Sequence, residues 1–175
     1  MARAFDLLDR NNAPEALKIG RQLENERFSG GFEIQALALA DLHRRSDAIE
    51  VLERGVATVP DIWLLWQLLG NYRSDSGDIE GAISAYLRAY TADCDAVSVA
   101  YNHANALARA ERWAEAKASL APVFENGALL QADAQLALYI INLQEDLLRI
   151  EGRDEETDNF VEANAFVIAR ASKNR

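Results

Sequence analysis

Few side chains in this sequence are suited to covalent chemistry, and their spacing argues against it. There are two histidines, His43 and His103, and one cysteine, Cys94. A lone cysteine forms no intramolecular disulfide, and with two distant histidines it builds no zinc site. His43 sits beside a polar break and reads as a solvated turn residue. His103 falls on the core-facing side of an apolar run, where a satisfied, buried imidazole is expected. No basic cluster lies near Cys94 to lower its thiol pKa. Phosphate-loop, HExxH and Gly-x-Ser-x-Gly patterns are missing. The many carboxylates fall at helix surfaces and turns, where solvation accounts for them. The expectation is no catalytic residue, no metal, no cofactor and no enzyme, which leaves non-covalent binding.

Charge narrows what could be bound. Twenty-eight acidic residues against 18 basic ones give a formal net charge of −10. Phosphate backbones and anionic lipid surfaces require clustered Lys and Arg. The only adjacent basic pair is Arg44-Arg45, so nucleic acid is not an expected partner. No apolar run approaches the roughly 20 residues that span a bilayer. The opening MARAFDLLDRNN carries acids early and lacks a leader-like apolar core. A cytoplasmic protein without membrane insertion is expected.

The elements that position these side chains are helices. Half of the sequence is hydrophobic, alanine, leucine and glutamate dominate, and strict apolar alternation is lacking, so the class is all-α. Small residues recur at a spacing of 34: Ala36, Gly70 and Ala104, then Ala48, Ala82 and Ala116. Larger apolar positions follow in Leu52, Tyr86 and Leu120. Gly55, Ala89 and Val123 form another set, and Phe32, Trp66 and Ala100 a weaker one. Each period holds two helical stretches: about 31–42, 62–73 and 97–110 for the first, about 47–58, 79–91 and 113–126 for the second. Gly70 interrupts an apolar helix at a cost of roughly 1 kcal/mol. A close helix approach opposite Ala82 is the expected compensation.

The segment Trp66, Leu69 and Gly70, followed by Ala82, Tyr86 and Ala89, resembles the tetratricopeptide repeat, a helix-turn-helix unit of 34 residues. Gly77-Asp78 matches its turn and Pro60 its unit-ending proline. Arg73 stands where the family prefers tyrosine, Cys94 and Ala128 replace the closing proline, and His103 replaces the first-helix leucine. The resemblance implies an all-α, right-handed α-α superhelix of stacked antiparallel helix pairs. It implies one repeat domain over 1–175, with an N-terminal capping helix pair at 1–28, regular repeats at 29–62, 63–96 and 97–130, and an extended C-terminal helix pair at 131–175.

The ends depart from the pattern. Residues 1–10 read as a short helix, and Pro14 suits the first turn of another that runs to about Arg27. RWAEAKASL at 112–120 aligns with NFVEANAFV at 159–167, an offset of 47, which is 34 plus 13. The extra residues are expected to lengthen a first helix over 131–151, with Asp154 or Thr157 capping the closing helix. Leu143, Leu147, Leu148 and Ile150 then either lie under the last helix or form a self-association face for a homodimer.

The resemblance also implies a concave groove lined by the first helix of each pair. Its positions fall here on Glu33, Leu37 and Asp41; on Leu64, Gln67, Asn71 and Asp75; on Ser98, Tyr101, Asn102, Asn105 and Arg109; and on Gln135, Tyr139 and Asn142. Peptide-clamping members of the family use asparagines at the places of Asn71 and Asn102. An amide both donates and accepts, so it pairs with a peptide backbone of any sequence. Those members hold a terminal carboxylate with cations, and the matching places here are Gln67, Ala132 and Leu136. The implied function is a protein-protein interaction scaffold or adaptor that binds a neutral or basic peptide or protein segment. The alternative is a structural protein that assembles with itself through its C-terminal helices.

Overall fold

In the computed structural model, residues 2–91, 97–125 and 127–172 are described. They form twelve helices: α1 Ala2–Asp9, α2 Ala13–Asn25, α3 Gly30–Asp41, α4 Arg45–Thr58, α5 Trp63–Asp75, α6 Ile79–Thr91, α7 Val97–Arg109, α8 Trp113–Glu125, α9 Ala128–Gln131, α10 Ala134–Ile150, α11 Asp154–Ala163 and α12 Ala165–Ser172. The six repeat helices start and stop within two residues of the positions expected from periodicity. Cys94 and the boundary at Ala96 lie outside the described residues. The chain divides into two compact units, Met1–Cys94 and Asp95–Arg175.

In the first unit, each of α1 to α5 packs on the next, and α1, α3 and α5 also touch one another in order. The core runs through Ala16, Ile34, Ala36, Ala48, Leu52, Leu65 and Leu69, all buried. Gly20 and Gly31 let α2 and α3 approach so closely that a β-carbon on Gly31 would lie 2.6 Å from the Glu24 nitrogen. Gln35 is buried at this crossing and donates to Glu24 (2.7 Å) and to the Gly31 carbonyl (3.2 Å). Gly70 has a similar reason. Its close neighbour is the Tyr86 ring: an added β-carbon would meet Cε1 at 2.5 Å. Gly70 therefore makes room for Tyr86, which lies one helical turn beyond Ala82.

In the second unit, α7 pairs with α8, α10 packs against both of them, and α11 and α12 fold onto α10. The repeat positions Ala104, Ala116 and Leu120 are fully buried.

The turns share one backbone solution. Before α4, His43 takes φ +58°, the His43 N–H donates to Ala40 O (2.9 Å) and the Arg44 N–H to Leu39 O (2.8 Å). This six-to-one and five-to-two pair is a Schellman motif. It recurs with Asn11, Arg27, Gly77, Glu111 and Gly152 as the left-handed residue. His43, Gly77 and Glu111 are 34 residues apart, so the period is kept by backbone geometry even where glycine is not.

Several expectations about the C-terminal part are corrected. The stretch 131–151 is not one long helix. Ala132 is extended (φ −64°, ψ 154°), and the Asp133 carboxylate caps α10 by accepting from the Gln135 and Leu136 N–H groups. The capping signal was hidden by apolar periodicity that continues across it. The closing helix is broken at Asn164, so the segment aligned as one helix spans two. From Glu111 to Gly152 the left-handed turn residue moves by 41, which is 34 plus seven rather than 34 plus 13. Neither Asp154 nor Thr157 caps α11. Its N-cap is Arg153, and the Thr157 hydroxyl instead donates to the Arg153 carbonyl at 2.9 Å. Leu147 and Leu148 are buried, because α11 and α12 fold back over α10. Leu143 is half-buried, and Ile150 is the exposed member of the four.

Candidate functional site

The positions expected to line a groove lie on the first helices of the pairs: α3 and α5 in the first unit, α7 and α10 in the second. Both pairs are in contact side by side.

On the α3/α5 face, polar groups are largely engaged by the fold itself. Asn71 Oδ1 accepts the Tyr86 hydroxyl at 2.9 Å. The amide named as a peptide clamp is thus tied into its own hairpin, beside the Gly70 contact with the same ring. Asp75 pairs with Arg45 of α4 at 3.3 Å. Gln67 and Asn71 have further interactions within the protein. Glu33 is half-buried, and burial pushes its carboxyl above the usual range. Tyr72 lies between Asp41, Arg45 and Asp75. Burial raises its hydroxyl pKa first, the two carboxylates add to this, and Arg45 opposes them.

The α7/α10 face differs. Tyr101 and Tyr139 stack with ring centroids 6.1 Å apart and planes 21° from parallel. Tyr139 remains 48% exposed. Burial and the neighbouring Tyr139 push the Tyr101 hydroxyl pKa up. Asn105 lies one turn beyond Tyr101, and Gln135 and Asn142 lie one turn to either side of Tyr139. Among the described residues these three amide side chains meet no hydrogen-bond partner. Asn102 and Arg109, also expected here, each interact within the protein. Of the asparagines singled out in the sequence, Asn105 therefore has the uncommitted amide.

The histidines lie where sequence reasoning put them. His43 is exposed at its left-handed turn. His103 is half-buried, and its Nδ1 lies 2.9 Å from Ser119 Oγ on α8. Burial and Arg112 lower its pKa, against a smaller opposing effect of Glu115. Among the described residues no three His, Cys, Asp or Glu side chains gather as a metal site. No described helix is long and apolar enough to cross a membrane.

Sequence reasoning missed two features. One is a recess of about 380 Å³ between α2, α3 and α4, with Gln35 and Leu39 in its wall and Arg21, Arg44, Arg54, Asp47 and Glu50 around it. The other is an arginine after the left-handed turn residue that pairs with an acid three residues on: Arg44 with Asp47, Arg112 with Glu115, Arg153 with Glu156. The spacing Arg-x-x-acid at the polar breaks was a readable signal. In the remaining regular unit Asp78 takes this place and accepts the Gly81 N–H at 3.0 Å.

No protein-family model matches the chain, and no curated protein matches it. Solved structures do. A crystal structure of MamA aligns over 99% of this chain and 98% of its own, with a TM-score of 0.75 at 13% identity. The nearly identical TPR-like repeats of a Podosopora anserina putative kinesin light chain align over 97% of this chain and 93% of their own, with a TM-score of 0.72 at 14% identity. A chain in the structure of Naa15/Naa10 bound to HypK-THB aligns over 95% of this chain and 24% of its own, with a TM-score of 0.71 at 14% identity. At such identities the likeness shows the fold: an all-α, TPR-like helical repeat.

Proposed function

We propose that this chain is a non-enzymatic protein-interaction module that binds a segment of a partner protein on the faces of its first helices. The observation that carries this reading is the α7/α10 face. A tyrosine pair with one ring 48% exposed stands beside uncommitted amides, which is an arrangement for contact rather than for stability. The TPR-like fold supports it, since stacked repeats present extended binding surfaces. A similar structure is described as bound to HypK-THB, which supports protein partners for this fold. Asn71 drops to a supporting role, because its carbonyl oxygen already serves Tyr86.

The test is a pull-down from native extract, read by mass spectrometry, with wild type beside an Asn105→Ala, Tyr139→Ala variant. Both substitutions lie at solvent-reached positions, and matched melting curves verify the fold. A partner captured by wild type and lost by the variant is the expected result. Equal recovery by both would remove the face from consideration.

A second reading, self-association through the C-terminal helices, is favoured by Ile150 at 53% and Phe166 at 74% exposure. Under it, light scattering of the wild type gives a dimer that Phe166→Glu converts to a monomer. A wild-type monomer at high concentration would exclude it. Leu147→Glu is a poor probe, because that side chain is 1% exposed and the charge would unfold the unit.

A further inference from the structure

We propose that the α7/α10 face takes a proline-containing partner segment in the polyproline II conformation. The proposal rests on the reading that this face binds a partner segment, and it names the chemistry of that segment. Five side chains define the strip: Tyr101 and Asn105 on α7, and Gln135, Tyr139 and Asn142 on α10. None of these five carries a formal charge on a chain whose net charge is −10, and charge enters only at the ends of the strip, with Arg109 one turn beyond Asn105 and Asp146 one turn beyond Asn142. These five groups offer a ligand no ion pair. A ligand that fits offers an apolar ring to the tyrosines and hydrogen-bond acceptors to the amide N–H groups.

A proline-rich segment offers both. Its pyrrolidine rings lie flat on aromatic side chains. Its backbone makes no internal hydrogen bonds, so its carbonyls are available to donors. Proline has no N–H, so such a segment brings few donors that need acceptors from the protein. It also arrives already extended, which keeps its ordering cost low, and aromatic-lined grooves elsewhere use this mode. The two rings stack with planes 21° apart, so each holds the other in place, and Tyr139 keeps 48% of its surface open to a ligand ring. Asn105 and Asn142 lie about one turn beyond each tyrosine on their own helices, roughly 6 Å and 4.5 Å along the axis, within reach of the carbonyls of a segment laid over the rings. The α3/α5 face lacks this combination, since Asn71 is bonded to Tyr86 and Asp75 to Arg45.

The probe is capped octaproline, titrated into the full chain while the Tyr101 and Tyr139 ring resonances are followed by NMR. A capped glycine-serine octapeptide is the control. The expected result is a saturable shift of both rings with octaproline and none with the control. Tyr139→Ala should weaken binding about two- to tenfold, as loss of one aromatic contact does. Tyr139→Phe should keep most of the affinity. Unshifted rings at millimolar octaproline, or equal shifts with the control, would overturn the proposal. So would a shift unchanged by Tyr139→Ala. If the pull-down partner is lost in the Asn105→Ala, Tyr139→Ala variant while octaproline stays silent, the face still binds a partner and only the proline chemistry falls.

Discussion

An added β-carbon on Gly70 would lie 2.5 Å from Tyr86 Cε1 and 2.6 Å from Cδ1. The ring is itself buried and hydrogen-bonded to Asn71, so it has little room to give. Gly70→Ala should therefore lower stability by about 1–3 kcal/mol despite the better helix propensity of alanine. In a denaturant double-mutant cycle, Tyr86→Leu should recover part of that loss; strict additivity would show that the two residues are not coupled. Two titrating groups act in opposite directions. The His103 pKa is held below its ordinary 6.5 by burial. The unfolded chain therefore binds a proton first as pH falls, and stability is lost from about that pH down to the lower folded value. Glu33 is raised above its ordinary 4.5 by burial, so its contribution to stability grows as pH falls through the folded pKa. Melting curves from pH 7 to pH 5 should flatten in His103→Phe. Glu33→Gln should melt higher than wild type at pH 7.

At the scale of elements, the turns carry the repeat. The left-handed region costs a residue with a β-carbon roughly 1–2 kcal/mol relative to glycine. Glycine returns part of that through its freer unfolded state. His43 and Glu111 occupy the backbone position that Gly77 occupies in the middle repeat. His43→Gly and Glu111→Gly should each stabilise by about 0.5–1 kcal/mol, while Gly77→Ala should cost about 1 kcal/mol. A β-carbon on Gly77 meets nothing within 4 Å, so that cost is one of backbone alone. Asp133 has the corresponding role at a helix start, and Asp133→Ala should cost about 1 kcal/mol in chemical denaturation. The surface pairs Arg44–Asp47 and Arg153–Glu156 are expected to contribute only a few tenths of a kcal/mol.

For the molecule as a whole, two compact units have separate consequences. The buried cluster from Ala4 to Ala85 lies entirely within Met1–Cys94. A chain of residues 1–94 should fold alone, with a cooperative thermal transition followed by circular dichroism. A broad, non-cooperative loss of helix would show that this core depends on the residues after Cys94. In the second unit, Arg170 of α12 donates to the carbonyls of Leu130 (3.0 Å) and Ala132 (3.1 Å) at the end of α9. The last helix is thereby tied to the segment just before α10, which keeps the cover over Leu147 and Leu148 in place.

Helices α3 to α8 were legible in the sequence because their signals are local and repeated. Small residues return every 34 positions, and polar breaks mark the turns between them. That Gly70 is crowded by the second helix of its own pair could be read from the facing register of two neighbouring helices, although the group that crowds it is the Tyr86 ring rather than Ala82. The C-terminal unit was less legible. Its apolar periodicity continues through Ala132 and Asp133, so only the Asp133 cap reveals the helix stop. Among the candidate binding residues, type and helix face could be read, but availability could not. In the sequence Asn71 and Asn102 match the clamping positions of the family and Asn105 does not. The structure gives Asn71 to Tyr86, fifteen residues away, and leaves Asn105 uncommitted. It likewise places Tyr139 against Tyr101, 38 positions back in the chain, to make a surface that neither forms alone. Sequence by itself determined the repeat, because backbone geometry and small-residue packing act between near neighbours. Tertiary structure decided which side chains are free to bind, because that depends on partners brought together from distant parts of the chain.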